Sequence, residues 1–224
     1  MAPADHARGT LGEAAAEADD IEVGRRLFAN HCRFVSGAAS EDGIPEAGPP
    51  EVAFAGRSNV GKSSLVNALT GRNTLARISR TPGRTRQINF FLLGERLQLV
   101  DLPGYGYARA SKGEIAAWTG LVRAYLKGRS TLRRVCLLVD ARHGLKPPDL
   151  ELVAMLDEAA VSYQVVLTKS DKARPGALAG HLEALRAELA RHPAAHPEVS
   201  VTSARRGDGI PELRAALARL AAPR

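Results

Sequence analysis

The 224-residue sequence predicts an α/β fold, a three-layer sandwich around a mostly parallel six-stranded sheet with one antiparallel strand. Three observations predict it. Short apolar runs alternate with segments of helical periodicity, which is typical of a parallel sheet with crossover helices. Two apolar runs, 88–93 and 97–100, are separated by the turn Gly94-Glu95 and predict one antiparallel hairpin. A glycine-rich loop lies between an apolar run and a helical pattern, which predicts a strand–loop–helix unit.

The chain divides into three predicted segments. Residues 1–20 are rich in Ala, Glu and Asp, which predicts a disordered leader. Residues 21–49 are predicted to form an N-terminal extension, amphipathic enough to pack on the main domain, and a linker rich in Pro and Gly. Residues 50–224 are predicted to form that main domain, because a chain of this length with 45% hydrophobic residues can bury one substantial core.

The segment GRSNVGKSS, residues 56–64, predicts a phosphate-binding loop. Gly56 and Gly61 allow backbone N–H groups to turn inward around a pyrophosphate, and the helix that begins at Lys62 adds its positive dipole end. Lys62 is expected to reach the β- and γ-phosphates, and the Ser63 hydroxyl is expected to bind Mg²⁺. The other predicted contacts in this loop come from Arg57, Ser58, Asn59 and Val60.

The segment TKSD, residues 168–171, follows an apolar run and predicts recognition of guanine. The Asp171 carboxylate can accept hydrogen bonds from guanine N1–H and the 2-amino group. Adenine offers neither donor, so an ATP-using enzyme is the less favoured alternative. Lys169 can lay its aliphatic stem along the base. Thr168 stands where Asn is commoner, which predicts a weaker tether to the phosphate loop. Further contacts are predicted from Ser170, Thr202, Ser203 and Ala204, the last three offering a backbone N–H to guanine O6.

Two segments between these motifs are predicted to contact the γ-phosphate and Mg²⁺. An apolar strand ends in Asp101, which is expected to hold Mg²⁺ through water, and the chain continues through Leu102 and Pro103 to Gly104, whose N–H is expected to contact the γ-phosphate. The polar stretch 72–86 contains Thr85, the candidate for a second Mg²⁺ hydroxyl, with Thr81 as the alternative. GTP would order both segments and hydrolysis would release them.

These motifs together resemble one family. The chain from Pro50 to about Ala222 contains in order GRSNVGKSS, TPGRTR, NFF, DLPGYGYA, LLVDARHGLKPPD, TKSD and TSA. This series is similar to the EngB (YihA/YsxC) family of bacterial ribosome-biogenesis GTPases, of the TrmE–Era–EngA–YihA type. The resemblance implies a Ras-like P-loop GTPase sandwich, a role in assembly of the large (50S) ribosomal subunit, and a requirement for normal cell division and septation.

In that family a Gly-Arg-Thr-Gln segment closes over the nucleotide. The corresponding residues here are Gly83, Arg84, Thr85, Arg86 and Gln87, with Arg86 where the family usually has Gln.

Hydrolysis is predicted to be slow. In Ras-like enzymes a Gln after the Asp-x-x-Gly motif orients the attacking water, but here Tyr105 follows Gly104. The residues expected to take part are Lys62, Thr85 and Gly104. Asn59 stands where GTPases resembling this one use Asn to help hold K⁺ near the phosphates. Two interpretations of Asn59 stay open: a K⁺ ligand, so that K⁺ stimulates hydrolysis, or only a brace for the loop.

The charge of the chain is unevenly distributed. Residues 1–50 carry four Lys and Arg against nine Asp and Glu, whereas residues 51–224 carry 27 against 15, a net charge of +12. Two basic clusters suit the phosphate backbone of rRNA in the large-subunit precursor. The alternatives are a solvated arginine-rich surface, and a GTP-dependent scaffold for division proteins that does not contact RNA. The first cluster comprises Arg72, Arg77, Arg80, Arg84 and Arg86, and the second Arg123, Lys127, Arg129, Arg133 and Arg134.

The composition favours a cytoplasmic protein, and we expect it to be monomeric. The N-terminus lacks an apolar signal segment, and no stretch approaches the roughly 20 apolar residues needed to cross a bilayer, so no membrane contact is expected. Cys32 and Cys136 are the only cysteines. Cys136 lies in an apolar run and is predicted to be a small buried residue rather than half of a disulfide.

Overall fold

The computed structural model describes residues 4–72, 87–106 and 112–221. The helices in these ranges are α1 (Ala4–Ala29), α2 (Lys62–Thr70), α3 (Lys112–Leu126), α4 (Pro147–Glu158), α5 (Pro175–Leu189) and α6 (Ile210–Ala218). The strands are β1 (Cys32–Ala38), β2 (Glu51–Gly56), β3 (Ile88–Leu93), β4 (Leu97–Asp101), β5 (Leu132–Asp140), β6 (Tyr163–Thr168) and β7 (Ser200–Val201). Short 3₁₀ turns cover Glu41–Gly43, Ser170–Lys172 and Arg219–Ala221. None of the helices in the described ranges is long and apolar enough to cross a membrane.

The strands of the described residues form one sheet in the order β1-β3-β4-β2-β5-β6-β7. Strand β3 pairs antiparallel with both β1 and β4, and the other pairs are parallel, so β3 runs opposite to the other six strands. The predicted fold class, with one antiparallel strand in a mostly parallel sheet, is confirmed. The described sheet has seven strands rather than six, because β1 adds an edge next to β3.

The extra strand arises from residues predicted to belong to an amphipathic extension. Phe34 and Val35 in β1 are exposed, and the Phe34 ring packs edge-on against Phe91 of β3, with 5.7 Å between ring centroids. Edge strands are stabilised by backbone pairing on one side, and their side chains need not alternate between core and solvent. The hydrophobic pattern of the sequence therefore did not indicate β1.

The N-terminal segment also differs from its prediction. Helix α1 covers most of the predicted disordered leader, which agrees with the high helix propensity of Ala, Glu, Leu and Arg. Its last turns pack on α6, where Leu27 and Phe28 are buried. Gly24 fits this contact closely, since a Cβ atom there would lie 2.6 Å from the backbone nitrogen of Ala215. The end of this helix is therefore buried against α6.

Each face of the sheet carries a hydrophobic core. One face packs against α3, α4 and α5, and the other against α1, α2 and α6. Cys136 lies in the second core, where burial raises its pKa to about 12, and Cys32 is also buried and unbridged. The prediction of a buried thiol at Cys136 is confirmed. The loops after β2, β4, β5 and β6 follow the carboxyl ends of parallel strands and so meet at one edge of the sheet.

Arg129 of the second basic cluster forms a buried ion pair with Glu51. Arg129 donates to the buried carboxylate of Glu51 at 2.6 Å and to the backbone oxygen of Pro45 at 2.7 Å. Glu51 also accepts hydrogen bonds from the hydroxyls of Tyr125 at 2.9 Å and Thr131 at 3.0 Å. A guanidinium so fully paired stabilises the junction of linker, β2 and α3, and it is not an RNA contact. The prediction for Arg129 was therefore wrong.

Two other members of the second cluster also have protein partners. Arg134 donates to the side chain of Gln164 at 3.1 Å, and Arg123 forms an exposed ion pair with Glu158 at 3.7 Å. Arg123, Arg129 and Arg134 of the expected cluster therefore contact different parts of the protein.

Candidate functional site

The phosphate-binding loop predicted at residues 56–64 connects β2 to α2. Its backbone needs two left-handed residues, Asn59 with φ 63° and Gly61 with φ 109°. Gly56 is required by packing, because a Cβ atom there would lie 2.8 Å from the Val60 side chain and 3.1 Å from the backbone oxygen of Leu138. The glycines and Asn59 therefore stand where the loop needs small or left-handed residues.

The predicted phosphate-binding lysine and the predicted Mg²⁺ carboxylate lie in direct contact. The Lys62 ammonium at the start of α2 donates to Asp101 Oδ1 at the end of β4, and both side chains are largely buried. Ser63 follows Lys62 in the same helical turn. The structure thus brings together three of the residues predicted to serve the phosphates and the metal.

The segment after β4 continues alongside the phosphate loop. The backbone N–H of Leu102 donates to Phe54 at 3.0 Å, and that of Ser58 donates to Tyr105 at 2.9 Å. A longer bond of 3.4 Å runs from the N–H of Tyr105 to Gly56. These bonds extend the β2–β4 pairing beyond the strands. Gly104 is thereby placed beside Ser58, whose Oγ would lie 3.4 Å from a Cβ atom at position 104.

The TKSD segment is tied directly to the phosphate loop. The Thr168 hydroxyl donates to the backbone oxygen of Val60 at 2.6 Å, so the tether expected to be weakened by the loss of Asn is present. The Lys169 ammonium donates to the backbone oxygen of Asn59 at 2.6 Å and to Asp140 Oδ2 at 2.9 Å. These contacts hold the predicted base-binding and phosphate-binding segments in one arrangement.

Asp140, at the end of β5, is a site residue that the sequence analysis did not single out. Its buried carboxylate accepts two hydrogen bonds from the Arg142 guanidinium, at 2.9 and 2.7 Å, in addition to that from Lys169. Burial opposes the charge, but the hydrogen bonds from Arg142 and Lys169 outweigh it and hold the pKa of Asp140 well below its usual range. Asp140 therefore stays negatively charged, and it positions the Lys169 ammonium. The signal in the sequence was an acid ending an apolar strand, as at Asp101.

The predicted guanine-binding carboxylate is oriented by the TSA segment. Ser203, which is fully buried, donates from Oγ to Asp171 Oδ1 at 2.7 Å, and this hydrogen bond lowers the pKa of Asp171. Thr202 donates from its backbone and its hydroxyl to the oxygen of Leu167 at 2.7 and 2.9 Å, and it accepts the N–H of Ser170 at 3.1 Å. The TKSD segment and the segment Thr202–Ala204 thus form one unit.

Part of the predicted site falls outside the described residues. Gln87 is described, and its side chain lies against Gly37 of β1 while donating to Asn89 at 3.0 Å. Gln87 directly precedes β3, whose residue Asn89 pairs with Asp101, and its side chain faces β1. The predicted site residues outside the described ranges are Gly83, Arg84, Thr85 and Arg86, together with Thr81, Arg77 and Arg80.

Comparisons with known proteins agree with this geometry. Residues 51–169 match the family model described as 50S ribosome-binding GTPase. A probable GTP-binding protein EngB from Rhodospirillum rubrum is 57% identical over 208 residues, which cover 91% of this chain and 90% of that protein. One from Rhodopseudomonas palustris is 56% identical, covering 92% of this chain and 96% of that protein. The crystal structure of a probable GTP-binding protein EngB superimposes with a TM-score of 0.60 at 25% identity, covering 76% of this chain and 98% of that one.

The two relatives match over more than nine tenths of this chain, and the family model spans the phosphate loop, the segment 101–105 and the first two residues of the TKSD segment. The chain belongs to the EngB family of GTP-binding proteins.

Proposed function

We propose that this chain is a cytoplasmic, Mg²⁺-dependent GTP-binding switch with slow intrinsic hydrolysis. Its GTP-bound form contacts the precursor of the large ribosomal subunit, and through that role it is needed for normal cell division and septation. The observation that carries the proposal is the contact between Lys62 of the phosphate loop and Asp101, which begins the predicted γ-phosphate-sensing segment. The description of the matched family, 50S ribosome-binding GTPase, supports the partner.

The nucleotide would bind across the edge of the sheet. Guanine would donate to the Asp171 carboxylate, which Ser203 already orients, and would lie against the stem of Lys169. The phosphates would occupy the loop between β2 and α2, with the charge of Lys62 and the N-terminus of α2 opposite them.

Mg²⁺ fits the oxygen donors found at this position. Ser63 and Asp101 provide a hydroxyl and a carboxylate, which are hard ligands of the kind Mg²⁺ prefers together with phosphate oxygens. We assign Ser63, Thr85 and, through water, Asp101 as the residues that would hold it. The bound ion would neutralise the charge that develops on the β- and γ-phosphate oxygens.

Slow turnover follows from the position of Tyr105. The residue after Gly104 is a buried tyrosine, and its hydroxyl donates to Asp149 at 2.8 Å. That hydroxyl is therefore engaged within the protein and does not orient water in the way that a glutamine at this position does. The phosphate loop and its Lys62 would supply most of the intrinsic rate.

The proposed rRNA contact lies in the first basic cluster, because Arg129 of the second cluster is buried against Glu51. Arg77 and Arg80 lie just before the segment 81–85, which contains Thr85. When GTP and Mg²⁺ order that segment, they would also fix these two arginines in one arrangement. RNA binding would then not have to supply the free energy needed to order them.

The test is co-sedimentation with large-subunit particles, with GDP or with a non-hydrolysable GTP analogue, over a range of salt concentrations. We expect tighter binding with the analogue and a steep loss of affinity as salt rises. The double variant Arg77→Ala/Arg80→Ala should reduce the salt slope by about one to two units and leave nucleotide affinity nearly unchanged.

A matched control removes two exposed arginines elsewhere, Arg191 and Arg219, with side chains 76% and 64% exposed. This variant should keep the wild-type slope. Binding that does not depend on the nucleotide would contradict the switch. Absence of binding in both states would favour a division scaffold without RNA contact.

A further inference from the structure

The segment Gly144–Asp149, GLKPPD, is a motif that the nucleotide contacts leave unexplained. Its last residue, Asp149, is 1% exposed in the first turn of α4. One carboxylate oxygen accepts the Tyr105 hydroxyl at 2.8 Å. The other accepts the backbone N–H of Lys146 at 2.9 Å and lies 3.6 Å from Nε of Arg57. Both oxygens of this buried acid are therefore engaged.

The partners of Asp149 belong to three separate segments. Arg57 is the second residue of the phosphate loop, Tyr105 directly follows Gly104, and Lys146 precedes α4. A single carboxylate thus joins the phosphate loop, the segment expected to sense the γ-phosphate, and the start of α4.

Tyr105 is also held by two other contacts. Its ring packs on that of Trp118, with 5.4 Å between centroids, and its backbone oxygen accepts the N–H of Ser58 at 2.9 Å. Trp118 donates from Nε1 to the backbone oxygen of Pro103 at 2.9 Å. The two neighbours of Gly104 in the chain, Pro103 and Tyr105, are therefore both fixed by packing from α3 and α4.

We infer that Asp149 is a positioning residue for γ-phosphate sensing, acting through Tyr105 and Arg57 to hold Gly104 against the phosphate loop. This inference rests on the proposed GTP-dependent switch. The carboxylate acts at a distance from the nucleotide, by fixing the backbone whose N–H is assigned to the γ-phosphate. Through Asp149, the contact between Gly104 and the γ-phosphate depends on the packing of α3 and α4.

Asparagine replaces this carboxylate only in part. With its oxygen on the Lys146 N–H, its NH₂ group would face the Tyr105 hydroxyl, which would have to turn from donor to acceptor, and the negative charge opposite Arg57 would be lost. Asp149 also stabilises the N-terminus of α4 through its charge and its bond to Lys146. The test must therefore separate positioning from stability.

The experiment measures the affinities of wild type, Asp149→Asn, Tyr105→Phe and the double variant for GDP and for a β,γ-imido analogue of GTP, with Mg²⁺. Asp149→Asn should weaken binding of the analogue on the order of 10-fold and leave GDP nearly unchanged, because only the γ-phosphate reaches Gly104. The double variant should be little worse than Asp149→Asn, since both changes break the same link.

Trp118 provides an independent readout, as the only tryptophan in the chain. In wild type its fluorescence should differ between the analogue and GDP, because its ring contacts Tyr105 and its N–H contacts Pro103. Asp149→Asn should reduce that difference.

The matched control is Asp157→Asn on the same helix, since Asp157 binds His192 at 2.6 Å and the N–H of Ala194 at 3.2 Å, away from the site. It should lower the melting temperature without changing the affinity ratio.

Equal losses for GDP and the analogue in Asp149→Asn would overturn the positioning role, as would additive effects in the double variant. If Asp149→Asn does not fold, Tyr105→Phe is used instead. An unchanged ratio of analogue affinity to GDP affinity in that variant would also overturn the positioning role. Wild type that binds both nucleotides equally would instead contradict the proposed switch.

Discussion

The two ends of the candidate site are built differently. At the base end, each functional side chain is bonded to a neighbouring loop that directly follows a strand. At the phosphate end, the segment 102–105 leaves β4 and is fixed mainly by backbone bonds to the phosphate loop and by the side chains of Tyr105 and Trp118. We define the base end as Asp140, Thr168, Lys169, Asp171 and Ser203, and the phosphate end as Ser58, Lys62, Asp101, Gly104 and Tyr105.

This difference separates two tasks. The base end is arranged by protein contacts alone, so it should bind GDP and GTP equally well. The phosphate end borders the predicted switch segments in sequence, and its position depends on the packing of α3 and α4. Variants of the base end should therefore change both nucleotide affinities together, whereas variants such as Asp149→Asn should change their ratio.

The largest effect is expected from Asp171→Asn. The amide cannot accept both donors of guanine, so affinity for GTP and GDP should fall roughly 100-fold or more. Affinity for xanthosine triphosphate should rise, because xanthine has a carbonyl where guanine has its amino group. Displacement of a fluorescent nucleotide analogue measures all three affinities. Unchanged GTP binding would remove Asp171 from base recognition, and a changed GTP-to-GDP ratio would contradict the separation of the two ends.

A smaller effect is expected from Thr168→Val. Valine has the same shape but cannot donate to the backbone oxygen of Val60, so one tether between the base end and the phosphate loop is lost. A hydrogen bond of this kind contributes about 1 kcal/mol, which predicts a loss of about 5-fold in affinity for both nucleotides. Thr168→Asn is the matched control, because an amide can donate at this position. A loss with Asn as large as that with Val would show that the hydroxyl is not the tether.

The sequence predicted those parts of the molecule whose function depends on a short run of consecutive residues. The loop 56–64, Asp101 and the TKSD segment are contiguous motifs, and each follows an apolar strand. Their common edge then follows from the parallel sheet. Strand β1 was missed because an edge strand carries no clear alternation, and α1 was missed because a composition rich in Ala and Glu is shared by helices and disordered segments.

The other features that the sequence analysis did not predict are pairings between distant residues. Asp149 and Tyr105 are 44 positions apart, and Arg129 and Glu51 are 78 apart. Nothing in either local sequence identifies the partner. Asp149 has the position of a helix-capping residue, and Arg129 has the composition of a surface cluster. Only the packing of the sheet with α3 and α4 distinguishes a buried network from a solvated charge.

The smallest expected effect concerns Asn59, which lies where the two ends meet. Its backbone oxygen accepts Lys169 of the base end, while its side chain belongs to the phosphate loop, and its φ of 63° is strained for most residues. Asn59→Ala would disturb both the backbone and the side chain. Asn59→Gly removes only the side chain, because glycine adopts this conformation freely. We expect hydrolysis to be a few-fold faster in KCl than in NaCl at equal ionic strength, and both variants to lose that difference. If Asn59→Gly keeps the stimulation and Asn59→Ala loses it, the side chain is not a K⁺ ligand, and Asn59 serves only the left-handed turn that joins the two ends.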